Sequence, residues 1–368
     1  MEIILNNIVY TLRKNGTAIV SSHTKQLQGD VIIPNFITYQ EQQYRITSVE
    51  EEAFSGCKRL TTITISDEVT NIKEGAFRGC IWLSEITISN SVLRIGTSAF
   101  EDCKKLSKIT FLGNLTSIGD CAFKNCKELA TIIIPDSVTN IGSHVFEDCK
   151  KLSTIILPEN ILSIGEGAFS GCKRITTITI PSSVTHIGKH VFEYCTGLTK
   201  ISIPDSITTI EGGTFSSCTG LAEITIPNSV TNIGYGAFCD CTGLTSITIP
   251  DSVTNIDGYA FSGCTRLTEI TIPNSITNIG NHTFSDCTKL SVITLPNSVT
   301  NIGDNAFNGC TRLTEITLPY SVTSVGNYAF YGCTKLTKVT LFNRVTSIGD
   351  YAFYGCRRLN AITLPNIA

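Results

Sequence analysis

A 23-residue pattern that repeats without interruption constrains this chain more than any other feature. Phenylalanine and cysteine keep the same two places in fourteen consecutive copies, from Phe54 and Cys57 to Phe353 and Cys356. A constant period of this length is typical of solenoids, in which each repeat forms one coil and only the stacking of neighbouring coils completes a core. The pattern therefore predicts one elongated repeat body rather than the two or three globular domains usual for 368 residues.

The copy at residues 244–266 shows the three segments of the repeat. LTSITIP alternates apolar and polar residues, which predicts a β-strand that ends at Pro250 because proline cannot donate to a strand ladder. DSVTNI opens with an Asx turn and directs its valine and isoleucine inward. DGYAFSGC brings Ala260, Phe261 and Cys264 to one side of a single α-helical or 3₁₀ turn. We therefore predict mostly β coils with one short helical turn each.

The cysteine spacing argues against a disulfide framework. Fourteen of the sixteen cysteines share one repeat position, so their side chains point the same way in adjacent coils, whereas a disulfide requires Cβ atoms that face each other. The sequence has no CxxC pair and its histidines lie outside the cysteine column, so we predict no metal site. We interpret the column as buried reduced thiols, and we expect Cys121 and Cys239, which lie outside it, to be more exposed.

Residues 1–45 do not fit the repeat and are predicted to form a β-rich N-terminal cap. IVYTLRKNGTAIV alternates around Asn15-Gly16, a strong hairpin signal, and the segment between Tyr39 and Tyr44 resembles a second hairpin tip. Such a cap would cover the core and the strand edge that an open solenoid end exposes. Residues 46–368 are the predicted solenoid of 14 coils, which breaks off within a repeat at 365–368, so we expect a trimmed chain.

Charge and hydropathy exclude several classes of function. The formal net charge of −3 is close to neutral for this length, so we expect no binding to nucleic acid or to an anionic membrane surface. No apolar stretch reaches 18 residues, so no membrane insertion is predicted. The N-terminus carries Glu2 and lacks a long apolar centre, so it does not have the pattern of a signal peptide.

The consensus LxxIxIPxSVTxIGxxAFxGC, present in nearly every copy from Leu60 to Cys356, resembles the 23-residue leucine-rich repeat of the BspA-like family. The leader GDVIIP…ITYQEQQYRITSV is similar to the unit that precedes the repeats in that family. The resemblance implies a right-handed leucine-rich-repeat superhelix. It also implies a surface or secreted protein of oral or gut bacteria, or of parasitic protists, that adheres to host matrix proteins and to other cells.

In a leucine-rich repeat, the polar residues between the strand apolars form the concave sheet surface, where partners commonly bind. The exposed column in phase with Ser246 contains Glu223, Glu269, Glu315 and Lys338 in its C-terminal part. These four are candidate protein-binding residues. The next exposed column is nearly all threonine, which we interpret as an ordinary strand surface rather than a water-ordering ladder.

Tyrosines concentrate in the last coils. Tyr328 and Tyr351 share one column, and Tyr331 and Tyr354 share another, one coil apart in each case. Tyrosine next to arginine is the composition of an interface hot spot, so these four residues are a second set of protein-binding candidates. The alternative is ordinary packing along a ridge of the solenoid.

The two residues after each repeat cysteine form a ridge that is basic in the early coils, as at Lys104-Lys105 and Lys150-Lys151. Glu147-Asp148 lies beside it, which favours locally neutral ion pairs over a nucleic-acid or heparin groove. His144 and His190 would lie two coils apart, roughly 10 Å, too far to share a metal ion.

No Ser-His-Asp grouping or phosphate-binding loop is recognisable, so we predict a non-enzymatic module without catalytic residues or cofactors. With the family resemblance, the prediction becomes a cell-surface or secreted adhesin that binds a host matrix or surface protein through its concave sheet. A cytoplasmic scaffold or effector with the same architecture is the alternative. The partner's identity and the oligomeric state are not encoded in any recognisable pattern.

Overall fold

The structure is a computed structural model that describes residues 1–113 and 115–363. Asn114 and residues 364–368, where the last repeat is predicted to break off, lie outside the described residues. Contacts divide the chain into two compact units, Met1–Val191 and Phe192–Ala368.

Nearly every described coil contributes one longer and one shorter strand, and the strands pair in parallel with equivalent residues one repeat away. In the coil at residues 244–266 the longer strand is reduced to a single bridge between Thr248 and Thr225. Glu269 thus pairs with Val292 in the longer strands, and Ile279 pairs with Ile302 in the shorter ones. Branched residues form these strands because their side chains pack well on a pleated surface. Alternation along the strand buries Ile270 and leaves its two neighbours exposed. The predicted β-solenoid of about 14 turns is confirmed.

The strands of Met1–Val191 are β1 (Glu2–Leu5), β2 (Ile8–Leu12), β3 (Thr17–His23), β4 (Gly29–Ile33), β5 (Phe36–Tyr39), β6 (Gln42–Val49), β7 (Leu60–Ile65), β8 (Asn71–Ile72), β9 (Glu85–Ile88), β10 (Arg94–Ile95), β11 (Lys108–Phe111), β12 (Ser117–Ile118), β13 (Thr131–Ile133), β14 (Asn140–Ile141), β15 (Thr154–Ile156), β16 (Ser163–Ile164), β17 (Thr177–Thr179) and β18 (His186–Ile187). The longer strands form the ladders β4-β7-β9-β11 and β13-β15. The shorter strands continue from β6 through β8, β10, β12, β14 and β16 to β18.

The strands of Phe192–Ala368 are β19 (Lys200–Ser202), β20 (Thr209–Ile210), β21 (Glu223–Thr225), β22 (Asn232–Ile233), β23 (Asn255–Ile256), β24 (Glu269–Thr271), β25 (Asn278–Ile279), β26 (Val292–Thr294), β27 (Asn301–Ile302), β28 (Glu315–Thr317), β29 (Ser324–Val325), β30 (Lys338–Thr340), β31 (Ser347–Ile348) and β32 (Ala361–Thr363). Here the longer strands form β19-β21, β24-β26 and β28-β30-β32, and the shorter strands form β20-β22-β23 and β25-β27-β29-β31.

The N-terminal segment contains the two predicted hairpins and one more. The hairpin β2–β3 turns at Asn15-Gly16, and β5–β6 turns between Tyr39 and Gln42. The additional hairpin, β1–β2, turns through Asn6 and Asn7, whose φ angles of 48° and 64° lie in the left-handed region that asparagine tolerates. The N-terminal segment therefore contains one hairpin more than the sequence pattern predicts.

His23, at the end of β3, closes the N-terminal end of the core. Its ring stacks on Phe54 with the centroids 6.0 Å apart, and its Nδ1 lies 2.9 Å from the Ala53 carbonyl oxygen. The histidine thereby takes the place that the phenylalanine of a preceding coil would occupy.

The predicted helical turn is wrong, because no helix occurs among the described residues. The segment before each cysteine is a run of turns that contains two left-handed residues four positions apart, such as Tyr259 (φ 59°) and Gly263 (φ 71°). A right-handed helix requires negative φ throughout. The Phe261 N–H donates to the Thr283 carbonyl of the next coil, whereas the Ser262 N–H donates to the Tyr259 carbonyl of its own coil. Bonds between coils thus replace the helical pattern.

Phenylalanine rings form the centre of the core in both units. From Phe54 to Phe169 the rings stack at centroid distances of 5.1 to 5.7 Å and are parallel within 6°. From Phe192 to Phe353 the distances are 5.2 to 5.6 Å and the angles at most 12°. Each ring therefore packs against equivalent rings of the adjacent coils in its unit.

None of the sixteen cysteines, all of them in the described part of the chain, forms a disulfide, and thirteen are buried. The Cys264 thiol donates to the Phe238 carbonyl oxygen at 3.2 Å, a contact that recurs along the column. Burial raises the pKa of such thiols, Cys264 and Cys310 among them, because the thiolate loses its hydration. Cys121 and Cys239 are half-buried, in agreement with their expected greater exposure.

Replacing Phe215 by alanine should destabilise the chain by about 3 to 5 kcal/mol, the usual loss for a buried phenylalanine. The ring is 1% exposed and stacks on Phe192 and Phe238, so the cavity would disturb the coils on both sides. Thermal and denaturant unfolding measure the loss. Tyr194→Ala, at a ring that is 52% exposed, is the control and should unfold like the wild type. Unchanged unfolding of Phe215→Ala would contradict the packing described here.

The thiol column also predicts loss of stability at alkaline pH. In the unfolded chain the thiols ionise near a pKa of about 8.5, whereas burial raises their pKa in the fold. The stability contribution is therefore complete below that pH and declines above it, by about 1.4 kcal/mol per pH unit for each buried thiol. Urea unfolding between pH 8 and pH 9.5 measures the slope. Replacing Cys241, Cys264 and Cys287 together by alanine should make the slope shallower, and an unchanged slope would exclude the thiols as its cause.

Candidate functional site

The long-strand face is the first candidate surface, defined here as the exposed side chains of the longer strand of each coil. In Phe192–Ala368, one of its columns runs through Glu223, Glu269, Val292, Glu315 and Lys338, and all five are exposed. The structure therefore brings the four predicted strand candidates onto one face. Strand spacing separates Glu269 from Glu315 by about 10 Å, with Val292 between them.

The charges on this part of the face are not neutralised by one another. Glu315 and Lys338 are register neighbours, yet they form no ion pair within the described residues. The equivalent pair in Met1–Val191, Glu85 and Lys108, lies 3.7 Å apart. The Glu269 and Glu315 carboxylates on this face therefore remain available to a partner.

A groove of about 460 Å³ opens beside Glu315. Val292, which is 57% exposed, lines one side. Tyr320 and Phe342 line the other side and meet edge to face at 5.9 Å. The Arg344 guanidinium lies 5.4 Å from the centre of the Tyr320 ring. Apolar and aromatic surface bordered by a carboxylate suits a partner that carries apolar and cationic side chains together.

Part of the same face is apolar in Met1–Val191. Ile133 and Ile156 replace the column's threonine in β13 and β15 and are 65% and 52% exposed. Together with Leu112 they border a groove of about 670 Å³ whose described lining contains no charged side chain. The sequence pattern shows these isoleucines only as interruptions of a threonine column, and their joint exposure with Leu112 was missed.

The turn face is the second candidate surface, defined as the residues from three before to one after each repeat phenylalanine. Tyr328 stacks on Tyr351 at 5.2 Å, and Tyr331 stacks on Tyr354 at 5.5 Å. Contacts of 5.6 and 5.8 Å within each coil join the two stacks. The four predicted tyrosines thus form one cluster.

The sequence analysis missed a second aromatic group on the same face, separated from the tyrosine cluster by the coil of Asn305. Tyr259 stacks on His282 at 4.3 Å, and Tyr235 lies 5.1 Å from Tyr259. Tyr259 and His282 occupy the same column as Tyr328, which was a usable signal. Tyr235 lies one position earlier in its coil, so an alignment by columns does not reveal its contact. These residues and the tyrosine cluster are called the aromatic strip below.

Several residues of the aromatic strip have left-handed backbone. Tyr259, Tyr328 and Tyr351 have φ of 59°, 55° and 57°, which costs a non-glycine residue about 1 to 2 kcal/mol. Gly213 and Gly236 occupy the same position in other coils. Stacking of an aromatic pair contributes about 0.5 to 1.5 kcal/mol and so offsets only part of that cost. Tyrosine at these positions therefore stabilises the fold little more than glycine would.

A polar groove of about 410 Å³ runs beside the aromatic strip and has a glycine floor. A Cβ atom on Gly326 would lie 2.6 Å from Asp304 Oδ1, so no larger residue fits there without a shift. On one wall, Ser324 Oγ donates to Asn301 Oδ1 at 2.9 Å. On the other, the Asn327 N–H donates to Asp304 Oδ1 at 2.7 Å. The groove thus presents amide, hydroxyl and carboxylate groups in register from coil to coil.

Part of the basic ridge of the early coils forms ion pairs with neighbouring carboxylates. Lys150 Nζ lies 3.7 Å from Asp148, and Lys151 Nζ lies 2.5 Å from Glu128. The hydrogen bond from Lys151 lowers the pKa of Glu128. Paired charges of this kind make this part of the ridge a solvated surface rather than a free cationic groove.

Few groups in the structure could support catalysis. Among the described residues, no cluster of three or more histidine, cysteine, aspartate or glutamate side chains is placed to hold a metal ion. Burial, with a contribution from Asp240, raises the pKa of Cys239 to about 11. Its thiol is therefore protonated at neutral pH and is a weak nucleophile. No helix of a length and hydropathy suited to crossing a membrane occurs in residues 1–113 and 115–363.

Solved structures of bacterial repeat proteins are similar to this chain. A leucine-rich repeat protein from Bacteroides ovatus is 34% identical, with 97% of this chain and 93% of that one covered and a TM-score of 0.89. A leucine-rich cell surface protein from Faecalibacterium prausnitzii is 28% identical, with 100% and 95% covered and a TM-score of 0.64. Pneumococcal vaccine antigen PcpA, at 22% identity, 98% and 86% coverage and a TM-score of 0.54, shows the fold alone. No functionally curated protein matches significantly.

The family comparison covers most of the repeats. The model of a family described as BspA type leucine rich repeat region, which contains six copies of the repeat, matches residues 35–153, 146–268 and 254–368. These ranges contain the phenylalanine stack, the thiol column and both candidate surfaces. The chain therefore belongs to the BspA type leucine-rich repeat family.

Proposed function

We propose that this chain is a non-enzymatic protein-binding module that acts at the cell surface as an adhesin for host matrix or cell-surface proteins. Membership of a leucine-rich repeat family supports the protein-binding role. The similar protein from Faecalibacterium prausnitzii is described as a cell surface protein, which supports the proposed location.

The observation that carries the proposal is the unneutralised acidic column on the long-strand face of Phe192–Ala368. Glu269 and Glu315 flank the exposed Val292, and the groove beside Glu315 adds aromatic surface from Tyr320. An apolar centre with charges around it is the usual composition of a protein interface. We infer that the partner presents a basic patch around an apolar side chain. Glu223 and Lys338 extend the same column and would contact the margins of the partner.

Capture of the purified chain on immobilised host matrix proteins, with fibronectin and fibrinogen as first probes, tests the proposal. Saturable capture at physiological salt is expected. Capture that disappears between low and physiological salt would indicate only nonspecific charge attraction. If no matrix or cell-surface protein of a panel captures the chain saturably, the proposed adhesin function is contradicted.

Replacing Glu269 and Glu315 together by lysine should weaken capture at least tenfold, about 1.4 kcal/mol, because like charges would face the basic partner. The melting temperature should not change, since both side chains are exposed. Asp205→Lys with Asp251→Lys is the control, because it makes the same change in net charge at exposed turn residues. Equal loss of capture in both variants would show that net charge, rather than the face, determines binding.

An intracellular scaffold is the second candidate, favoured by the free thiols. Disulfides are typical of oxidising compartments, and a chain with sixteen cysteines and no disulfide among them suits a reducing one. The free thiols are also explained by the column geometry, which prevents their pairing. Failure of capture by host proteins, combined with binding of a cytosolic protein that the lysine variant abolishes, would favour the scaffold.

A further inference from the structure

We propose that the turn face of Phe192–Ala368 is a second binding surface, separate from the long-strand face, for an extended polypeptide segment rich in lysine or arginine. The surface consists of the aromatic strip and the polar groove beside it. The proposal does not rest on the adhesin function, because it concerns a different face.

The first observation is that the fold does not require the tyrosines. The column of Tyr328 and Tyr351 also contains Gly236 and Asn305, with φ angles of 60° and 55°. The backbone is therefore the same whether the residue is glycine, asparagine or tyrosine. Bulky residues in left-handed backbone are found mainly where the surroundings impose them or where a functional surface uses the side chain. Here the surroundings impose φ, but they do not impose tyrosine.

The second observation is that the rings are open to solvent and have few polar contacts. Tyr235, Tyr351 and Tyr354 are 61%, 58% and 61% exposed. Among the described residues, none of the phenol hydroxyls of these three tyrosines has a hydrogen-bond partner. An exposed aromatic cluster with free hydroxyls is a typical feature of protein interfaces, since tyrosine offers large apolar area and a polar tip with few rotatable bonds.

The third observation is the charge of the groove. Its lining contains the Asp304 carboxylate and no cationic side chain, and Asp350 continues the Asp304 column into the last coils. Ser324, Asn301 and Asn327 supply hydroxyl and amide groups that could pair with the backbone of an extended chain. A segment with basic side chains would place its charged groups near the two carboxylates and its aliphatic stems against the tyrosine edges.

The geometry of the rings favours a polypeptide over a nucleic acid or a sugar. Tyr328 and Tyr351 are parallel within 16°, and Tyr331 and Tyr354 within 15°, so each pair covers its own inner faces. Bases and sugar rings stack on open aromatic faces, whereas ring edges and hydroxyls suit aliphatic and backbone groups. The carboxylates would also repel phosphate.

Fluorescence anisotropy with labelled peptides of about ten residues, in which lysine, arginine, glutamate or serine alternates with leucine, tests the proposal on the full chain. We expect the lysine and arginine peptides to bind at least tenfold more tightly than the glutamate and serine peptides. Equal affinities for all four peptides would overturn the proposal. Binding of maltoheptaose with no peptide binding would identify a saccharide site and would also overturn it.

Matched variants locate the site, because each substitution copies a residue found in the same column. Tyr328, Tyr331, Tyr351 and Tyr354 are all replaced by asparagine, which reproduces the coil where Asn308 Nδ2 donates to Asn305 Oδ1 at 2.9 Å. We expect at least a tenfold loss of affinity for the lysine peptide and an unchanged melting profile. Unchanged affinity in this variant would overturn the proposal.

Three further variants test the role of the groove's charge, the specificity of the aromatic strip and the independence of the turn face. The double variant Asp304→Asn with Asp350→Asn introduces the residue that Asn327 provides in the coil between them. It should weaken binding of the lysine peptide and leave binding of the serine peptide unchanged. Tyr194→Asn is the control, because this exposed tyrosine also has left-handed backbone, with φ of 57°, but lies outside the strip. Glu269→Lys with Glu315→Lys should bind the peptide like the wild type. If this lysine variant loses as much affinity for the peptide as the asparagine variant of the four tyrosines does, the turn face is not an independent site.

Discussion

Hydrogen bonding between coils at a constant period is the constraint on which the rest of the structure depends. The Phe261 N–H bonds to the next coil through the Thr283 carbonyl, and the Cys264 thiol bonds back to the preceding coil through the Phe238 carbonyl. One inserted residue would displace every such pair at that point. The uninterrupted 23-residue period is therefore a physical requirement, and it explains why the buried columns contain so few residue types.

Residues whose orientation follows from periodicity could be predicted from the sequence. Alternation along the strand places Ile270 inside and Glu269 outside, and the 23-residue period places Glu269 and Glu315 in one column. The same reasoning brings Tyr328 beside Tyr351. In each case a spacing in sequence determines a direction in space, so the candidate residues and their shared faces were accessible before the structure.

Features that depend on local backbone conformation or on residues outside the period were not accessible. Tyr259 does not have the sequence signal of a left-handed position, which glycine or asparagine would give, so its segment was predicted to be helical. His23 precedes the repeats, and only the packing of the cap reveals that it continues the phenylalanine stack. The grooves depend on several columns at once. The floor at Gly326, for example, is explained by the position of Asp304 in the neighbouring coil.

The architecture separates residues that maintain the fold from residues available for binding. At the left-handed column, Gly236, His282 and Asn305 have φ angles of 60°, 56° and 55°, so the bonds between coils set the backbone whatever side chain is present. A residue there contributes mainly through what it presents to solvent. Substitution at such columns changes the surface while the buried columns keep the coil register, so one repeat can support different binding surfaces. In this chain, the aromatic strip and the acidic strand column are the two surfaces for which we propose such a role.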